Sequence, residues 1–202
     1  MKTQVPQEVL DTHARLRKAG FEAYLVGGCV RDILIGREPK DWDITTNARP
    51  EQIQPLYEET FYENDYGTVG VVTQSENPKL KVVEITPYRI EGKYTNVRHP
   101  DEISWADNIS EDLKRRDFTV NAIAYDPETD TFIDEHGGKE DLKRKILASV
   151  GDADDRFAED ALRMLRAIRL AAELDFALDG ATASGIAAHA QKLSQISRER
   201  VR

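Results

Sequence analysis

Cysteine is almost absent from this sequence: among 202 residues there is one, Cys29. A lone cysteine excludes an internal disulfide framework and fits a reducing cytoplasm. Long apolar runs are absent as well. No stretch approaches the roughly 18 residues that a membrane-spanning helix needs, and residues 1–6 hold no apolar segment of the signal-peptide kind. Positive charge is in deficit, with 28 Lys and Arg against 37 Asp and Glu for a formal charge of −9. That balance argues against a non-specific nucleic-acid binder, because phosphate contacts need basic residues. What is present is an ordinary mixture, 40% hydrophobic and 32% charged, in a chain long enough to bury a core. Its basic residues are bunched at Lys114-Arg115-Arg116, Lys143-Arg144-Lys145, Arg163-Arg166-Arg169 and Arg198-Arg200-Arg202. Each bunch reads either as a solvated face or as a local phosphate patch on an acidic protein.

Periodicity divides the chain in two. Residues 6–19 show helical spacing and stop at Gly20, and residues 23–26 read as a short buried strand. Gly27-Gly28 breaks that strand, and residues 29–35 read as a helix. Residues 41–45 read as a second strand, and Pro50 starts a helix in the favoured first-turn position. Residues 69–73 and 80–86 are β-rich around a polar turn. Residues 91–108 lack periodicity, a length of loop that is often functional. A helix is expected over 110–116, and residues 120–125 and 131–133 flank a turn. From Gly138 on the pattern is helical, over 139–145, 156–174, 179–193 and a last segment from Ser197. The expectation is an α/β head over residues 1–137, with a mixed or antiparallel sheet, followed by an all-helical segment over 138–202.

Several constellations carry chemistry. Gly27-Gly28 between a strand and a helix lets a ligand approach the backbone and meet the free N–H groups of a helix start, with Arg31 in the first turn. Alone, the pair reads equally as a tight strand–helix turn, and no Walker Lys follows it. Asp41 and Asp43 stand at i and i+2, which on a strand turns both carboxylates one way and Trp42 the other. Such a pair suits Mg²⁺, a hard ion that takes oxygen ligands, or is simply two exposed strand-end aspartates. Glu84 interrupts an apolar strand and is either edge-exposed or a third carboxylate of the same centre. Arg115-Arg116-Asp117 combines planar guanidinium donors for a triphosphate with an acceptor for a ribose hydroxyl; the plain alternative is a basic helix C-terminus. Finally, Glu159, Asp160 and Arg163 share a face if they lie on one helix. They are then a surface ion pair, or a reader of nucleobases. Cytosine and adenine both present an amine donor beside a ring-nitrogen acceptor, which an Asp and an Arg complement; uracil and guanine would leave both side chains unpaired.

Leu25-Val26-Gly27-Gly28 with Arg31-Asp32, then Asp41-Trp42-Asp43-Ile44, then Arg115-Arg116-Asp117-Phe118-Thr119-Val120-Asn121-Ala122, then Arg156-Phe157 with Glu159-Asp160-Ala161-Leu162-Arg163-Met164-Leu165-Arg166, follow one another in that order. Together they resemble the class II tRNA nucleotidyltransferases and the bacterial poly(A) polymerases of the same superfamily, from about residue 21 to residue 202. The resemblance implies a polymerase-β-like head that holds two Mg²⁺ ions and a helical neck that recognises the base. It assigns metal binding to Asp41 and Asp43, phosphate contact to Gly28 and Arg31, and ribose and phosphate contact to Arg116 and Asp117. Base pairing falls to Asp160 and Arg163, with Glu159 holding Arg163, and Arg166 belongs to the same nucleotide-binding group. The implied partners are ATP, CTP and the 3′ end of a tRNA, and the implied reaction is CCA addition. A-only addition and poly(A) tailing run on the same scaffold. A small-molecule transferase with an Asp-x-Asp metal site, or a binding module without catalysis, stands outside that family. Residues 91–108 resemble the family's flexible loop, with Val97 where Gly is common before Arg98-His99-Pro100. Full-length members carry further helical domains that bind tRNA. The resemblance therefore implies a C-terminal region beyond Arg202, or a partner chain that supplies it.

Overall fold

The computed structural model describes residue 1 and residues 4–62, 67–91 and 103–196. The part of the expected loop that carries Val97 and Arg98-His99-Pro100, and the expected last segment from Ser197, lie outside them. The chain opens on α1 (Gln7–Lys18), whose Val9, Thr12, His13 and Leu16 recur at helical spacing and are buried. Gly20, at φ +91°, lets the backbone close the helix: its N–H donates to Arg17 O, and the Phe21 N–H to Leu16 O. Then come β1 (Ala23–Val26), α2 (Gly28–Leu34), β2 (Asp43–Thr46) and the short α3 (Pro50–Ile53). β3 (Thr60–Tyr62), β4 (Val69–Val72) and β5 (Val82–Pro87) follow as an antiparallel run. β6 (Arg89–Glu91) pairs with β7 (Ile103–Trp105) in a separate ribbon, so the expected loop over 91–108 begins in strand and holds a second strand before it reaches α4. α4 (Ile109–Lys114), β8 (Ala124–Asp126) and β9 (Thr131–Ile133) complete the head.

Seven strands make one mixed sheet in the order β3-β4-β5-β2-β1-β8-β9, in which β2 and β5 are parallel and the other neighbours antiparallel. Leu25, Ile44, Val69, Val71, Val83 and Ile85 belong to the main core with Val9, Leu16, Val30 and Ile53 from the helices. Because side chains alternate along a strand, Asp43, Thr45, Gly70 and Glu84 belong to the opposite face. There α4 packs Leu113 on Val26 and Ala124.

After Gly138 the chain is helical, as expected, with α5 (Gly138–Arg144), α6 (Ala153–Glu159), α7 (Leu162–Leu174), α8 (Gly180–His189) and a 3-10 stretch over Ala190–Gln195. One addition is a pair of two-residue parallel strands, β10 (Ile146–Leu147) and β11 (Ala177–Leu178). Leu142, Leu147 and Ala167 join the same core as the sheet, which docks α5 and α7 onto the head. The helix expected over 156–174 is broken. Asp160 is extended, with φ −137° and ψ 106°, and its carboxylate accepts from the N–H of Leu162, the first residue of α7, at 2.9 Å. Among the described residues no helix is long and apolar enough to cross a membrane.

Candidate active site

Two glycines set the centre. Gly27 has φ 79° and ψ −139°, a backbone open to glycine and strained for other residues. A Cβ on Gly27 would lie 3.3 Å from Asp43 Oδ2 and 3.6 Å from Arg116 Nη1, and one on Gly28 would lie 3.8 Å from Asp41 Oδ1. Both aspartates therefore face the space that the missing side chains leave open. The reason differs from the strand argument, because β2 begins at Asp43 and Asp41 sits in the bend before it. Trp42 is buried, as expected. Glu84 is not at an edge: β5 lies inside the sheet, and Glu84 pairs in register with Asp43 on β2.

The electrostatics fit a cation at this point. Burial pushes the Asp43 carboxyl up to about 7, the charges of Glu84 and Asp41 push the same way, and Arg116 opposes them. Among the described residues no three His, Cys, Asp or Glu side chains form a ready metal cage. Two carboxylates with a third on the next strand match an ion that keeps waters and takes further oxygens from substrate phosphates.

Asp112 organises the arginines. This fully buried carboxylate accepts from Arg115 Nε and Nη2 at 2.9 and 2.6 Å, from Arg116 Nη2 at 2.9 Å and from Thr45 Oγ1 at 3.1 Å. Burial works to raise its pKa, but the Arg116 and Arg115 charges and their hydrogen bonds outweigh it and hold the carboxyl below its ordinary value. Arg116 Nε is buried with no hydrogen-bond partner among the described residues, and Nη1 points to the Gly27–Asp43 space. A buried guanidinium with an unmet donor beside an open space suits an anionic ligand. The sequence reading missed Asp112; its signal was the spacing of three and four residues to Arg115 and Arg116.

Beside the aspartates lies a cleft of about 290 Å³, lined among others by Gly28, Arg31, Asp41, Asp43, Asp117 and Arg166. Arg31 is already engaged, its Nε and Nη2 on Asp32 Oδ1 at 2.8 Å and its Nη1 on Asn121 Oδ1 at 2.8 Å. Asp117 is likewise occupied. Its Oδ2 accepts from Arg166 Nε and Nη2 at 2.8 and 2.6 Å, and its Oδ1 from the Phe118 N–H and Asn121 Nδ2. Burial tends to raise the Asp117 pKa, and Arg166 brings it below the ordinary value. Phe118 is buried, as expected. Asn121, Lys40, Arg169 and Glu173 also line the cleft and were not singled out as site residues from sequence. Lys40 Nζ meets Glu173 at 2.8 Å and ties the loop before β2 to α7.

Glu159, Asp160 and Arg163 come together, though not on one continuous helix. Glu159 ends α6 and Arg163 lies in α7. Arg163 Nη1 donates to Glu159 Oε2 at 2.6 Å and Nη2 to the Arg115 carbonyl at 3.3 Å. Arg163 is thus held by Glu159, and α7 meets the arginine pair that follows α4 at this point. Asp160 spends one oxygen on the N–H of Leu162.

The family model of the poly(A) polymerase head domain matches residues 23–148. A CCA-adding enzyme of Geobacillus kaustophilus is 44% identical over 196 residues, which are 96% of this chain and 47% of that protein. The crystal structure of the Bacillus stearothermophilus CCA-adding enzyme in complex with CTP aligns with a TM-score of 0.86 and 41% identity, over 96% of this chain and 46% of that one. A tRNA nucleotidyltransferase crystallised with a primer tRNA and an incoming ATP analogue aligns with a TM-score of 0.74 and 30% identity, over 94% of this chain and 53% of that one. The chain spans about half the length of the curated relatives it matches.

Proposed function

The chain belongs to the poly(A) polymerase head-domain family, and on that premise we propose that it adds CMP and AMP from CTP and ATP to the 3′ end of tRNA in the cytoplasm, without a template. The observation that carries the reading is the convergence of Asp41 and Asp43 on Gly27 and Gly28 beside the arginine-lined cleft. CCA-adding relatives at 42–45% identity support the choice of reaction. The nucleotidyltransferases of this family depend on a divalent metal, and Mg²⁺ is the ion proposed for this chain. Bound by Asp41 and Asp43, two such ions would activate the RNA 3′-hydroxyl and neutralise the pyrophosphate leaving group.

The chain's own residues do the rest. Gly28 offers its backbone to the triphosphate, and Arg31 and Arg116 bind the phosphate oxygens. Asp117 and Arg166 orient the ribose. Asp160 and Arg163 pair with the edge of cytosine or adenine, with Glu159 fixing the guanidinium. The 3′-oxygen bonds to the α-phosphorus as the bond to the β-phosphate oxygen breaks, and Glu84 accepts the hydroxyl proton. In-line attack needs little beyond positioning and charge stabilisation. In this reading residues 1–137 form the catalytic head and residues 138–202 the neck. The test is Mg²⁺-dependent incorporation of each labelled NTP into a tRNA lacking its CCA end. CTP and ATP are expected to be used and UTP and GTP refused. Use of ATP alone would move the chain to A addition, and no incorporation with any NTP would overturn the reading.

A further inference from the structure

The sheet extends past Glu84, away from the nucleotide cleft. In register with Asp43 stand Glu84 on β5, Gly70 on β4 and Phe61 on the edge strand β3. These four belong to one row on one face. The row ends in an aromatic ring with unusual room. A Cβ on Gly70 would lie 2.5 to 2.9 Å from three atoms of the Phe61 ring, so the ring lies over Gly70 in the place of its side chain. Phe61 nevertheless remains 40% exposed. The part-exposed ring lies over Gly70, one strand spacing from Glu84 and about 10 Å, two strand spacings, from Asp43.

Direction follows from the chemistry. Gly28, which directly follows β1, lines one cleft with Arg31, Asp41, Asp43, Asp117 and Arg166, and none of the residues lining it comes from β5, β4 or β3; on the proposed reading this cleft takes the triphosphate. In-line displacement brings the nucleophile to the side opposite the leaving group. The RNA end therefore reaches Asp43 from the β5 side, past Glu84, where Phe61 waits. We propose that the exposed Phe61 ring is a stacking platform for the 3′-terminal base of the RNA primer. This inference rests on the nucleotidyltransferase reading. Stacking is the recognition such a step needs. Each addition changes the terminal base, since the product of one cycle is the primer of the next, and every base offers a π-face to an aromatic ring. Gly70 has a matching role: it is the residue that lets the ring lie flat along the row.

The experiment measures binding of two fluorescent RNA minihelices by anisotropy, at low salt with Mg²⁺ and no NTP. One ends in an intact nucleotide and the other in an abasic one. Wild type should lose about tenfold in affinity on going from the intact to the abasic end, within the range expected for one aromatic stack. Phe61→Leu should bind the intact RNA about tenfold more weakly, as expected for the same stack, and show no further loss with the abasic end. Phe61→Trp should bind like wild type, and Gly70→Ala, which pushes the ring aside, should behave like Phe61→Leu. ATP affinity should stay unchanged in all of them. An abasic end that costs wild type nothing overturns the proposal whether or not any variant folds, as does an equal abasic loss in wild type and Phe61→Leu. NTP incorporation by wild type is scored separately: stacking-dependent RNA binding without incorporation would refute the reaction and leave the platform standing.

Discussion

Removing the Asp112 carboxylate should disturb stability and triphosphate binding together. Asp112 is fully buried and serves two guanidiniums whose side chains are 13% and 16% exposed. Breaking a buried ion pair by deleting one partner typically costs about 3–5 kcal/mol, because the remaining charge is left uncompensated. Asp112→Ala also removes one acceptor of Thr45 Oγ1, but that hydroxyl keeps the Thr86 carbonyl at 3.1 Å and is not left unsatisfied, so it adds little. For a chain of this size each kcal/mol moves the melting temperature by about 2–4 °C, so a fall of roughly 6–20 °C is expected. Thr45→Val, which loses the hydroxyl's hydrogen bonding and keeps both ion pairs, should fall by only about 2–4 °C. The pH dependence has a definite sign. The Asp112 carboxyl is held below its ordinary value, so its contribution is complete above that value and is lost as pH falls through the lower one. The gap between wild type and Asp112→Asn should therefore be constant from about pH 5 to 8 and narrow in stronger acid, below about pH 4. The Arg116 fork loses its anchor in the same variant, so inorganic triphosphate should bind more weakly even where the protein remains folded. Calorimetric melting across pH, with triphosphate titrations at a temperature where both proteins are native, measures both arms. An Asp112→Ala protein within 1 kcal/mol of wild type, or a gap that widens in acid, would refute the reasoning.

Three further outcomes are expected. Asp43 is pushed up to about 7 from an ordinary 3.8, so the folded state holds a proton that the unfolded chain gives up, and metal-free wild type should lose stability as pH rises across that window. Asp43→Asn should then melt higher than wild type at pH 8 in chelator, with the difference closing towards pH 4, gain nothing from Mg²⁺ and incorporate no nucleotide; a lower melting point at pH 8 would contradict the assigned repulsion. Gly27→Ala introduces a Cβ 3.3 Å from Asp43 Oδ2 at φ 79° and ψ −139°, and a non-glycine residue in that glycine-favoured region costs about 1–3 kcal/mol, so incorporation should collapse while thermal stability falls only modestly, as tested by activity and melting on the same sample. Asp160→Ala should narrow the advantage of CTP and ATP over UTP by roughly 1–3 kcal/mol and lose about 1 kcal/mol of stability with the bond from the Leu162 N–H; an unchanged nucleotide preference with that stability loss would mean the base is read elsewhere.

How much of the site was legible follows from how far each argument had to reach. Gly27-Gly28 and Asp41-Trp42-Asp43 were readable because each is a local pattern with a local physical meaning. Even there the strand argument covered Asp43 and not Asp41, which meets the glycines from a bend. The helical face drawn through Glu159, Asp160 and Arg163 gave the Glu159–Arg163 contact but not the break between them. The Asp160 side chain competes for the backbone by accepting from the Leu162 N–H, a local break that helical spacing alone does not show. The neighbourhood of Glu84 was ambiguous because a sequence shows alternation along a strand and not which strands flank it. Only the pairing of β5 with β2 and β4 removes the edge alternative. Phe61 was illegible for the same reason in stronger form. Nothing near it in the chain distinguishes it from any other aromatic in a strand. Its standing depends on three register relations, to Gly70, to Glu84 and to Asp43, that span residues 43 to 84. A shift of one residue in any of those pairings would turn the ring to the other face and leave the row without it. Register is set by burial of Val69, Val71, Val83 and Ile85 in the main core. The apolar residues that hold the sheet together therefore decide which polar and aromatic groups stand beside Asp41 and Asp43.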